Sequence, residues 1–157
     1  MIQHELDISL LKKKYHDFSK KVEWAMEKLS IDIQPPKIFL FKGGSLAGLY
    51  VVDKNLVGFN VVIDTERNED VKRLAVHEVL HYLGIDHGPE YDGEEFSQRM
   101  FHLIGSDWRK RHDDAVDRYE EVMKKSVCPV MEKHNIIEIV FMDGQPHQEF
   151  RKIYIEE

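Results

Sequence analysis

The sequence predicts an α+β fold organised as one domain. Three observations carry that expectation: four stretches in which apolar residues recur every three or four positions, three β-rich runs, and Gly or Pro clusters that separate them. At 157 residues the chain is long enough to bury one core of its own without disulfides. Its composition, 42% hydrophobic and 32% charged, is that of a globular protein and argues against long disorder.

The first helix runs from Ile8 to about Leu29, where Leu10, Leu11, Tyr15, Phe18, Val22, Met26 and Leu29 form one apolar stripe between lysines and acids. Pro35 and Pro36 keep the helical pattern from continuing, because they remove backbone donors and push the preceding residue out of the helical region. KIFLF is then a short strand. LAGLYVVDKNLVGFNVVID reads as two strands joined by a polar turn, with Gly48 and Gly58 marking bulges or close approaches. A sheet of three or four strands is the expected result. From about Asn68 the helical period returns, with Val71, Leu74, Ala75, Leu80 and Leu83 placed to face a core, and it breaks at Gly84. Two more helices come next, one ended by Gly105 and one opened by Asp113 or Asp114. The last run carries two β-rich segments around Asp143-Gly144, a strong hairpin signal.

The chemistry concentrates in HEVLHYLGIDHGPEY. His77 and His81 stand at i and i+4 on the central helix, so both imidazoles leave one face at a separation that a single metal ion bridges. Glu78 flanks that face, where in HExxH sites the carboxylate is a base for the attacking water and not a ligand. Hydrolytic zinc needs three protein ligands and one open position, and His87 is the natural third. On a continued helix, the six residues from His81 would carry His87 roughly 240° around the axis and about 9 Å along it, out of reach. Gly84 removes that difficulty, since glycine just past a helix takes the left-handed conformation that turns the chain back. Gly88 and Pro89 then keep the helix from resuming. Three imidazoles beside a general base favour zinc over iron or copper. The expectation is one Zn2+ per chain on His77, His81 and His87, peptide-bond hydrolysis with Glu78 as base, and Tyr91, Arg99, His102 or His112 as a second donor to the developing oxyanion.

HEVLH followed by DHGPEY, EEFSQRM and HDDAVDRYEEVMKKSVCP resembles the SprT-like (Spartan-type) zinc metalloprotease domain, over about residues 8 to 128. AGLYVVDKNLVGFNVVID is similar to the strand pair before that family's active helix, and the spacing HExxHxxGxxH is that of metzincins and Wss-type relatives. The resemblance implies a zincin-like fold with a metallopeptidase domain at 1–128. It also implies a hairpin tail at 129–157 shaped like a zinc ribbon that has lost its metal ligands, since only Cys128 is present. Zincin analogy places a substrate strand on a sheet edge and expects Gly58 to Asp64 to line the cleft. DNA-stimulated cleavage of DNA-associated proteins is implied too, against a formal net charge of −7 that repels phosphate backbones.

Other readings share these ligands. A metzincin-type protease would place Met131 in a turn beneath the metal. A YbeY-like metal-dependent endoribonuclease has an HGxxHxxGxDH pattern that HEVLHYLGIDH partly matches, with Glu78 where that family has glycine. A non-catalytic zinc-binding module would dock a partner on the hairpin edge. For Cys128, His134 and His147 a second metal site is conceivable, and surface histidines with a buried thiol are the preferred reading. No apolar run reaches the roughly 18 residues of a membrane span, and MIQHELDISL has no signal-peptide core. The expected partners are protein or peptide substrates and no membrane, in the cytoplasm, or at the nucleoid if the activity depends on DNA.

Overall fold

The computed structural model describes residues 7–29, 32–43, 46–51, 55–88, 90–120 and 133–155, which form four helices and five strands of an α+β fold. Helix α1 (Ile8–Lys28) begins at Asp7, whose carboxylate accepts the Ser9 amide at 2.8 Å and so satisfies one of the helix's open donors. Leu11, Phe18, Val22, Ala25 and Met26 are its buried face. Strands β1 (Lys37–Gly43), β2 (Gly48–Val51) and β3 (Leu56–Asn60) come next, then helices α2 (Asn68–Tyr82), α3 (Glu94–Leu103) and α4 (Trp108–Arg118), and the hairpin β4 (Lys133–Met142) and β5 (Gln145–Ile155).

The strands make one mixed sheet in the order β2-β3-β1-β4-β5, parallel only between β1 and β3. It is larger than the three or four strands expected, because β4 hydrogen-bonds along β1 from Phe39↔Met142 to Gly43↔Ile137. Residues expected as a tail therefore supply two strands of the central sheet, with Ile137, Ile139, Val140 and Phe141 buried. Cys128 and Met131 lie outside the described residues, as does the side chain of His134; His147 meets Glu149 at 3.0 Å. A second correction concerns the edge. Of the segment Gly58 to Asp64, expected to line a substrate cleft, Gly58 to Asn60 belong to β3, which is paired on both sides, and the edge strand beyond it is β2. Helix α4 also opens at Trp108 rather than at Asp113 or Asp114, since Trp108, His112 and Ala115 turn inward one helical turn apart and Asp107 stands at the cap.

Both faces of the sheet are apolar. Ile38, Leu40, Val57 and Phe59 join α1 and α2 in the main core, where Phe18 stacks on Phe59 with centroids 4.2 Å apart. Phe39, Phe41, Leu49, Ile137 and Ile139 point the other way into a smaller cluster. Opposite Leu40 and Phe41 of β1, strand β4 carries one extra residue between Ile139 and Phe141, so Phe141 returns to the main core and meets Tyr15 at 5.0 Å. The turn from β3 into α2 is held by buried Asn60, whose amide nitrogen donates to the Gly43 and Leu46 carbonyls, and by Lys14, which donates to the carbonyls of Val61 and Ile63.

Candidate metal centre and active site

Helix α2 carries Glu69 and Asp70 in its first turn, where acids favour the helix dipole, and buries an unbroken run from Arg73 to Leu80 that includes His77 and Glu78. Its end is a Schellman motif: the Ile85 amide donates to Leu80 at 2.8 Å and the Gly84 amide to His81 at 2.9 Å, with Gly84 at φ +82. The expected reversal at Gly84 is thus observed. It brings His87 back over the helix, so that ligand atoms of His77, His81 and His87 all lie within 4.8 Å of one another.

Three contacts fix the returning loop. The Gly93 amide donates to the His87 carbonyl at 2.9 Å, and the two backbones press so closely that a Cβ on Gly93 would meet Asp86 O at 2.6 Å. Tyr91, held at φ +58, stacks its ring on His87 at 3.9 Å and 9°. Phe96 of α3 packs edge-on against His77 and His87 at 5.2 and 4.9 Å. The His87 Nδ1 donates to the Gly88 carbonyl, which leaves Nε2 with its lone pair for a ligand.

The electrostatics suit a neutral, ligand-ready triad. Burial pushes His77 well below the ordinary histidine value, with His81 and His87 adding to the effect. Burial, then the neighbouring His87, lowers His81 to about 4, and burial lowers His87 as well. Glu78 moves the other way: burial raises its carboxyl to about 8. That carboxylate lies against the sheet edge, where a Cβ placed on Gly48 would be 2.8 Å from its Oε2.

The four residues considered as second donors separate into two pairs. Tyr91 and His112 border the three histidines, with His77 and Tyr91 centroids 5.9 Å apart and Tyr91 and His112 centroids 5.0 Å apart. Arg99 and His102 instead line a surface pocket on α3 with Glu94, Glu95 and Gln98. Sequence reasoning missed Arg73, one turn before His77 and 2% exposed, whose Nε and Nη2 have no hydrogen-bond partner among the described residues; the same holds for His112 Nε2. Its place on the His77 face of α2 was readable from the i, i+4 spacing, but nothing local marks an arginine as buried. Gly48 and Gly93 were likewise unassigned to the site, because what a glycine touches is a tertiary fact.

Among the described residues no helix is long and apolar enough to cross a membrane. The chain matches no known family, no curated protein and no solved structure.

Proposed function

We propose that this chain is a zinc-dependent metallopeptidase, with His77, His81 and His87 as metal ligands and Glu78 as general base. One observation carries the reading: three imidazoles converge over the helix that also buries Glu78, next in sequence to His77, with its carboxyl against the edge strand β2. The donors fit the ion. Tetrahedral coordination at 2.0–2.1 Å from zinc to nitrogen sets ligand nitrogens about 3.3 Å apart, and the Nε2 atoms of His77 and His81 stand at 3.1 Å.

A zinc ion bound there would supply Lewis acidity toward water and the scissile carbonyl. The chain's own residues do the rest. Glu78, buried one residue after the ligand His77, takes the proton of the attacking water and passes it to the leaving amine. The β2 edge aligns an extended peptide by main-chain hydrogen bonds. Tyr91, packed between the ligand His87 and His112, holds that ligand's ring in place.

The test is elemental analysis of purified protein together with cleavage of an unfolded protein, with and without a chelator and with and without single-stranded DNA. About one zinc per chain and chelator-sensitive proteolysis are expected. Zinc without proteolysis would contradict the reading and turn attention to RNA cleavage or a binding role. Action on DNA-associated proteins rests on the SprT-like resemblance, and stimulation by DNA is its specific signature.

A further inference from the structure

We propose that Tyr50, on the open edge of β2 and backed by Tyr82, selects a bulky apolar or aromatic side chain in an extended peptide substrate. The selected position is two residues from the one that faces Gly48. The proposal rests on the peptidase reading.

The ladder between β2 and β3 decides which backbone groups are open. The Asn60 amide donates to the Ala47 carbonyl at 2.8 Å, and the register continues as Gly48↔Phe59, Leu49↔Gly58, Tyr50↔Val57 and Val51↔Leu56. In an antiparallel ladder, pairs that exchange hydrogen bonds alternate with pairs that do not. Ala47, Leu49 and Val51 therefore turn their N–H and C=O groups toward β3, and Gly48 and Tyr50 turn theirs outward. No described strand lies on that side. A peptide added there bonds to Gly48 and Tyr50, two residues apart.

The side chains obey the same alternation, so Gly48 and Tyr50 share the face that looks toward α2. Gly48 touches Glu78, and the Tyr50 ring meets the Tyr82 ring edge-on at 6.0 Å and 78°. One helical turn from Glu78 to Tyr82 advances about 6 Å, and two strand residues from Gly48 to Tyr50 advance about 6.7 Å. Strand and helix thus run in step past the site. The Tyr82 hydroxyl donates to the Gln34 carbonyl, which anchors the ring from its far end. Both tyrosines pack on the main core and stay half-buried, at an edge that no described strand covers. A substrate side chain opposite Tyr50 on this face becomes its cross-strand neighbour, and aromatic and β-branched neighbours are the favoured ones there. Opposite Gly48 there is no side chain to read, so selectivity concentrates at one position.

The experiment uses the full chain loaded with zinc and a peptide set in which each position in turn is Ala, Asp, Leu, Ile, Phe or Tyr. Products are located by mass spectrometry. At a single position, Phe, Tyr, Leu and Ile are expected to raise kcat/KM about two- to fivefold over Ala. In Tyr50→Ala that Phe-to-Ala ratio falls to about one, and in Tyr50→Phe it is retained. Tyr50→Thr keeps a strand-forming residue and replaces Tyr50→Ala if the latter does not fold. A preference unchanged in these variants, or no preference at any position in the wild type, overturns the proposal while the peptidase reading stands. Failure of the zinc-loaded wild type to cut any peptide or any unfolded protein overturns the peptidase reading and this proposal with it.

Discussion

Gly48 and Gly58 stand one residue out of register on neighbouring strands and face opposite sides of the same sheet. A Cβ on Gly58 would lie 2.4 Å from the Phe39 ring, inside the smaller apolar cluster, whereas a Cβ on Gly48 would lie 2.8 Å from the Glu78 carboxylate. Both glycines exist because something approaches the backbone closely, yet one approach packs a core and the other seats the proposed base. The proposed chemistry on the α2 face and packing on the far face are thus separable by substitution.

The largest effect should come from breaking the α2 side outright. His87→Ala removes one of the three proposed ligands, and we expect metal content to fall well below one zinc per chain with the far-ultraviolet circular dichroism of the wild type; full metal content would remove His87 from the site. On the far side, Gly58→Ala forces the Phe39 ring aside and is expected to lower stability by about 1–3 kcal/mol, read as a reduced denaturation midpoint, with activity per folded molecule nearly unchanged. Gly48→Ala sharpens the contrast. It should cut turnover about tenfold by displacing Glu78, with zinc retained and stability within about 1 kcal/mol. Equal loss of stability in both glycine variants would erase the distinction.

The smallest effect is a pH signature of the metal-free protein. His81 falls from 6.5 to about 4 on folding, so the unfolded chain binds more protons between those values and stability declines as pH drops through them. Glu78 rises from 4.5 to about 8, so the folded chain binds the extra proton and stability declines as pH climbs toward 8. With His77 and His87 also lowered, the acid limb is the steeper, and maximum stability should fall near pH 6.5. In Glu78→Gln the alkaline limb, at most about 2 kcal/mol between pH 6.5 and 8, should vanish from denaturation curves.

The sequence carried the local half of this architecture. The three histidines, Glu78 and the reversal at Gly84 were legible because helix periodicity and glycine chemistry act over a few residues. The pairing of β4 with β1 was not, since strand partners about a hundred positions apart leave no local mark. The same limit hid that β3 is paired on both sides with β2 outside it, and hid Gly93 pressed against His87. Arg73 was overlooked for another reason: lysines and arginines are seldom fully buried, and composition alone favours the surface.

Proton transfer by Glu78 at a site built by three histidines is what we propose. Its most direct test is cleavage of one unfolded protein by wild type and Glu78→Gln, compared at equal measured zinc content. We expect the wild type to cut and the variant to be at least about a hundredfold slower. Undiminished cleavage by Glu78→Gln would place the base elsewhere and contradict the account.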